Sequence, residues 1–250
     1  MRLCHAVVIL LAIALLASLG LSYFLYARGE SYYSQIYQVR LDPLGLSYYP
    51  HTEEVAAPAA DQEIVVFFGD SRAYDWPTPP DLRGYHFVNR GIGNETSVQA
   101  VARFERHVVP LQPDIVVIET CINDLKTIPI FAEQRDIIVE RCKANIESLL
   151  AKSRAHGARV VLVTVFPLGR VPLERRLFWS DAVGEAILEV NARLRSLGGD
   201  GVIVLDSGAI LAGETGQVRP EYSHDLLHLN PTGYEALNAE LARVLRAREQ

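Results

Sequence analysis

Five short apolar runs recur over residues 63–250, and most are followed by a longer segment of helical character. The runs are 64–68 (IVVFF), 85–89 (YHFVN), 114–119 (DIVVIE), 159–165 (RVVLVTV) and 202–205 (VIVL). Segments 97–109, 133–156, 180–197 and 231–248 read as helices. Gly157 stops the second and Gly198-Gly199 the third; Asn230 is placed to cap the last, with Pro231 at its first position. A strand apolar on both faces has to be covered on both, and parallel neighbours need long crossovers between them. The pattern therefore predicts a three-layer α/β/α sandwich around a central, mostly parallel five-stranded sheet. In such sheets ligands bind beyond the carboxyl ends of the strands, so chemistry is to be sought there.

A second feature lies ahead of the sheet. Residues 6–26 (AVVILLAIALLASLGLSYFLY) hold no charge, and 21 helical residues span about 31 Å, one hydrocarbon core. Tyr23 and Tyr26 fall where an interfacial belt would lie. The expected organisation is a signal anchor over 1–27, a tether over 28–62 and a globular domain over 63–250. The anchor makes the protein single-pass, with the domain on the non-cytoplasmic side. Cleavage near the small residues Ser18 and Gly20 would instead release it as a secreted protein. Five tyrosines of the tether (Tyr32, Tyr33, Tyr37, Tyr48, Tyr49) could pack on the domain or lie at the membrane surface.

Composition removes several alternatives. A net charge of −6 without a dense basic run argues against a nucleic-acid partner. Three cysteines are too few for a disulfide-built scaffold, and no spacing suggests a metal site. Cys121 and Cys142 could pair in an exported domain or remain two buried thiols.

Four motifs stand at element boundaries. Gly69-Asp70-Ser71 follows the first run, which places a serine at a strand-to-helix turn among helix N-terminal N–H groups. Asn89-Arg90-Gly91-Ile92-Gly93-Asn94-Glu95-Thr96 follows the second; its glycines and asparagines allow N–H groups to turn inward. Thr120-Cys121-Ile122-Asn123-Asp124 follows the third and offers a carboxamide donor. Asp225-Leu226-Leu227-His228 precedes the last helix, and its spacing lets the carboxylate hold Nδ1 of the same imidazole. His224 is a rival base without that spacing; His5, His51, His86, His107 and His156 have no comparable company. Together the motifs supply a nucleophile, a base with its orienting carboxylate, and oxyanion donors.

These residues resemble the SGNH hydrolases, the GDSL-type lipase and esterase superfamily, from about Glu63 to the last helix. The resemblance implies a flavodoxin-like sheet and an acyl-serine mechanism without metal or organic cofactor. It makes Ser71, Asp225 and His228 the catalytic residues. It draws the oxyanion hole from the N–H groups of Ser71 and Asn94 and the side chain of Asn123, with Asp70, Gly91, Gly93 and Cys121 lining the site. Two positions depart from the family pattern: Asn94 stands where the second block usually has glycine, and Cys121 where the third does. The implied function is a membrane-tethered serine esterase acting on a small-molecule, lipid or carbohydrate ester. The alternatives are an O-acyltransferase acting on envelope carbohydrate or lipid with the same triad, and a silent binding domain on the hydrolase scaffold. The stretch 166–179, with two prolines and three arginines, reads either as a substrate flap for anionic or sugar-bearing ligands or as a packed loop with solvated arginines.

Overall fold

The computed structural model describes residues 2–50, 56–80, 82–199 and 201–247. His51 lies outside them. The chain divides into two compact units, the first ending at Pro43 and the second starting at Leu44.

The first unit is one helix, α1 (Arg2–Leu41). Its span from Cys4 to Leu41 contains a window of mean hydropathy 2.5, long and apolar enough to cross a membrane. The helix does not stop with the apolar run, so the first part of the segment read as a tether is helical. The added turns contain no proline or helix-stopping glycine pair before Pro43, and side chains one turn apart support them. Tyr33 lies 4.4 Å from Tyr37, Arg28 sits 5.5 Å over Phe24, and Arg40 sits 5.2 Å over Tyr37. Arg40 also places a cation at the helix C-terminus, where the dipole favours it.

The second unit holds the sheet. Strands β1 (Glu63–Gly69), β2 (Tyr85–Gly91), β3 (Ile115–Glu119), β4 (Arg159–Val163) and β5 (Val202–Leu205) are all parallel, in the order β2-β1-β3-β4-β5. The helices are α2 (Ser71–Tyr74), α3 (Ser97–His107), α4 (Ile122–Leu125), α5 (Arg135–Ala155), α6 (Ala182–Arg195), α7 (Ser207–Leu211) and α8 (Pro231–Arg246). This is the doubly wound arrangement expected of the sequence. The strand order reverses between β1 and β3, which opens a crevice at their carboxyl ends.

Strand periodicity separates two cores. Val66, Phe68, Val116, Ile118, Val160 and Leu162 face one side, under Phe104, Ile146, Leu149 and Val190. Val65, Phe67, Val117, Val161 and Val163 face the other, under Trp76, Tyr234, Leu237 and Leu241. Both sets are essentially solvent-free, which is why the runs read as continuously apolar rather than alternating. Helix α5 ends at Gly157, whose φ of +81° is the left-handed cap geometry that glycine adopts without cost. Asn230 Oδ1 accepts the Gly233 N–H at 3.0 Å and caps α8.

Cys121 and Cys142 are joined as a disulfide with Cα atoms 5.9 Å apart, tying the start of α4 to α5. Crosslinking residues 21 apart restricts the unfolded chain by about 3 kcal/mol. Replacing Cys142 by alanine should lower the unfolding free energy by about that amount in a denaturant titration. An unchanged midpoint would show that the bond carries no such load. Of the tether tyrosines, Tyr49 belongs to the globular unit. Its hydroxyl donates to the Gly91 carbonyl at 2.5 Å, its ring meets the edge of His107 at 5.4 Å, and the Arg90 guanidinium lies 4.5 Å over it.

Candidate active site

The crevice is built from the strand ends upward. Strand β1 ends at Gly69 with φ +148°, and a Cβ there would stand 1.6 Å from the Glu119 carbonyl oxygen of β3. Only glycine permits this close approach, and it aims the chain sharply into α2. Gly69→Ala should therefore cost about 4 kcal/mol or more, since the strained φ and the clash with rigid backbone act together. That is a fall of about 10 °C in Tm for a domain of this size, readable by thermal denaturation. An unchanged Tm would contradict this geometry. Next, Asp70 caps α2, its Oδ1 accepting the Arg72 N–H at 3.0 Å. Ser71 occupies the first helical position, at the rim.

Ser71 Oγ lies 3.0 Å from Nε2 of His228. Nδ1 of the same ring lies 3.1 and 3.0 Å from Oδ1 and Oδ2 of Asp225. Asp225 Oδ1 also accepts the N–H groups of Leu227 at 2.7 Å and His228 at 2.8 Å. Burial pushes the Asp225 carboxyl up, but the His228 ring and the two backbone donors outweigh it and hold it below its ordinary value. An ionised Asp225 accepts the N–H of Nδ1, which keeps the ring proton there and leaves Nε2 bare to accept from the Ser71 hydroxyl. A cavity of about 530 Å³ opens beside this row, walled by Asp75, Pro77, His224, Asp225, His228 and Tyr234. His224 thus borders the cleft, while His228 is the histidine that reaches the serine.

The expected donor positions lie in the segments that follow β2 and β3. Asn94 is left-handed, with φ +61°, at an exposed turn beside the exposed Gly93. Asn is among the residues that best tolerate the geometry glycine would take there. Asn123 is buried, and its Nδ2 donates to the Glu95 carbonyl at 2.9 Å, which fixes the carboxamide and leaves its second N–H for a ligand. Cys121 also has a left-handed φ, +96°, where glycine is the natural residue. Its sulfur is committed to Cys142, so no thiol faces the cleft. Gly91 is buried, and a Cβ there would meet the Tyr74 nitrogen at 2.1 Å; it lets β2 approach α2.

Several residues that support the site were not legible as such. Asn89 donates from Nδ2 to the carbonyls of Ala73 at 2.8 Å and Tyr74 at 3.1 Å, and its Oδ1 accepts Gly91 N–H at 2.8 Å. It satisfies the end of α2, which is too short to satisfy itself. Glu95 and Arg103 form a buried pair, with Arg103 Nη2 2.6 Å from Glu95 Oε2 and 3.2 Å from the Gly69 carbonyl. Burial pushes Glu95 up to about 7 against the pull of Arg103.

Asp70 lies beneath the cleft rather than in it, with Arg72 and Glu119. All three are solvent-free. Arg72 Nη1 is 3.6 Å from Glu119 Oε1, and Arg72 Nε donates to the Leu227 carbonyl at 2.8 Å. The guanidinium stacks 5.0 Å over Phe166, and the Tyr234 hydroxyl donates to the Arg72 carbonyl at 2.9 Å. Arg72 therefore ties the serine turn to the Asp225–His228 loop. Burial raises both carboxyls: that of Asp70 against the pull of Arg72, and that of Glu119 further still beside Asp70. The one sequence signal was a charged residue closing an otherwise apolar strand (DIVVIE) opposite another just past the serine.

Stretch 166–179 is less packed than a core loop would be. Leu173, Leu177 and Phe178 are 74%, 87% and 80% exposed, and Arg170, Arg175 and Arg176 are exposed with them. Its base is pinned, because Gly169 N–H donates to the Leu226 carbonyl at 2.8 Å and a Cβ at Gly169 would meet the Asp225 carbonyl at 2.4 Å.

Comparison with known proteins places this arrangement. A GDSL-like lipase from Bacteroides thetaiotaomicron superposes with a TM-score of 0.62 at 27% identity, over 78% of this chain and 93% of that one. A lipase from a goat rumen metagenome (TM-score 0.58, 17% identity, 73% and 97% covered) shares the fold. So does an acetyl xylan esterase (0.57, 19%, 72% and 98%). No curated protein matches the sequence. The family model of the GDSL-like lipases and acylhydrolases matches residues 67–236, a span that runs from the end of β1 into α8 and takes in all four motifs. The chain belongs to the GDSL-like lipase/acylhydrolase family of SGNH hydrolases.

Proposed function

We propose that the protein is a serine esterase that cleaves carboxylic esters through an acyl-serine intermediate, anchored in a membrane by α1. The observation that carries the reading is the row Ser71–His228–Asp225, with 3.0 Å from Oγ to Nε2 and 3.0 Å from Nδ1 to Oδ2. His228 Nε2 takes the Ser71 proton as Oγ attacks the ester carbonyl, and returns it to the departing alcohol. Asp225 fixes the tautomer and balances the imidazolium. The N–H groups of Ser71 and Asn94 and Nδ2 of Asn123 receive the oxyanion, each donor contributing about 3 kcal/mol at the transition state. Water then releases the acyl group by the same path. A disulfide beside Asn123 and a helix of membrane-spanning length both favour a domain outside the cytosol.

The test is hydrolysis of p-nitrophenyl esters from acetyl to palmitoyl by the full chain in detergent micelles. Turnover above background in this series is expected, and its chain-length optimum reports the size of the acyl pocket. Absence of turnover with every ester in a folded protein would overturn the hydrolase reading. The anchor is tested separately, by alkaline extraction of membranes, which should leave the chain in the pellet.

A further inference from the structure

The residues that lead to the Asn94 donor are Gly91, Ile92 and Gly93. Two of them are glycines, which give a backbone the freedom that an oxyanion donor must not have. Gly93 adds no hold of its own, since even a Cβ there would meet nothing within 4 Å. The ladder between β1 and β2 ends at the pair Gly69–Gly91, so whatever fixes the loop has to act just beyond that pair.

Part of the hold comes from the chain that leaves α1. Tyr49 Oη donates to the Gly91 carbonyl at 2.5 Å. The N–H of the same peptide group, that of Ile92, donates to the Gly69 carbonyl at 2.9 Å. A peptide unit is planar, so bonds at its two ends fix its orientation. One end is thus tied to the turn that presents Ser71, and the other to Tyr49. Gly45, from the same segment as Tyr49, lies against the next side chain. It is buried with φ +64°, and a Cβ there would stand 2.9 Å from Cδ1 of Ile92. Downstream, the Glu95 N–H donates to the Ile92 carbonyl at 3.3 Å and closes the turn in which Asn94 has φ +61°.

The tyrosine is itself set in place. Its ring meets the edge of His107 and lies under the Arg90 guanidinium. His107 Nδ1 lies 3.3 Å from Nη1 of Arg103, whose Nη2 reaches the Gly69 carbonyl at 3.2 Å. Burial, with Arg103 beside it, lowers His107 to about 4, so the ring that backs Tyr49 is neutral at pH 7. Packing against His107 needs only the ring of Tyr49. The hydroxyl adds a bond to the peptide from which the donor loop starts.

We propose that Tyr49 is a positioning residue for ester cleavage: through the Gly91–Ile92 peptide it holds the loop that aims the Asn94 N–H at the oxyanion. The proposal rests on the esterase reading and adds to it a residue from the segment that joins α1 to the sheet. Its effect belongs on the transition state, because a displaced donor loses the developing oxyanion before it loses the substrate.

The test compares the full chain in detergent micelles with Tyr49→Phe, which removes the hydroxyl and keeps the ring. With the p-nitrophenyl ester that the parent cleaves best, kcat should fall about tenfold while KM stays within about twofold. Amide exchange read by mass spectrometry should quicken about tenfold or more in segment 90–96 and stay unchanged in peptides from β4 and α8. Replacing Tyr49 with 4-aminophenylalanine, which keeps a donor on the ring, should restore most of both. Tyr48→Phe, on the exposed neighbour, should change neither. A kcat within about twofold of the parent overturns the proposal. So does a change confined to KM, or a quickening of exchange that is uniform along the chain, because Tyr49 would then serve binding or global stability alone. Exchange unchanged in 90–96 overturns it as well, whatever happens to kcat. Failure of the esterase reading is distinguishable, since the parent would then cleave no ester, and exchange alone decides: quickening limited to 90–96 supports Tyr49 as the residue that holds this loop.

Discussion

Replacing Ser71 by alanine should lower ester turnover by about four to six orders of magnitude while leaving the Tm within about 2 °C of the parent. The two effects separate because the hydroxyl sits at the rim and makes one hydrogen bond, to His228, whereas the turn that presents it is held by other groups. Gly69 gives the turn its sharpness, Asp70 caps it, and Arg72 anchors it to the opposite loop. Alanine is also the best helix former and suits the first position of α2. Any activity left would come from the oxyanion donors and binding alone. A variant that keeps a tenth of the parent rate would remove Ser71 from the mechanism. A variant that loses its Tm as well would mean the loss reports unfolding instead.

Asp225→Asn should lower kcat by about 10⁴-fold with little change in KM. Asp225 does two jobs with one carboxylate. Its Oδ1 accepts two backbone N–H groups and shapes the loop; together its oxygens hold the Nδ1 proton of His228. Asparagine can keep the first job through its carbonyl oxygen. Its amide nitrogen then faces Nδ1 and donates to it, so the ring proton moves to Nε2, the atom that should receive the Ser71 proton. The fold survives and the base is lost. Asp225→Ala would remove both jobs at once, which makes asparagine the more informative change. Retention of more than a tenth of kcat in the asparagine variant would show that the carboxylate does not set the tautomer of His228.

The sequence showed the sheet well because its strands are buried on both faces, and continuous apolar runs such as IVVFF leave few other readings. It showed the candidate site for a related reason: ligands of a parallel sheet lie past the strand ends, and short polar motifs stood at three of them, with the fourth just before α8. What it hid was of three kinds. Helices α2, α4 and α7 are four or five residues long, too short for a helical period to register. The continuation of α1 to Leu41 was missed because apolarity ends near Tyr26 while helicity does not. Residues such as Arg72 and Glu119 carry charge, and charge in a sequence reads as surface. Their burial depends on each other and on Asp70, which no single-position pattern contains. The pairing of Cys121 with Cys142 is likewise a property of how α4 meets α5. The left-handed φ of Cys121 was only half visible: a residue other than glycine stood at a glycine position, without the crosslink that accompanies it.

The central claim is that Ser71 is a nucleophile activated by His228, and covalent labelling tests it most directly. The full chain in detergent is treated with a fluorophosphonate and the adduct is mapped by peptide mass spectrometry. One adduct per chain is expected, on Ser71, formed slowly or not at all in Asp225→Asn and abolished when the protein is unfolded first. A folded chain that takes no label, or takes it at another serine, would contradict it.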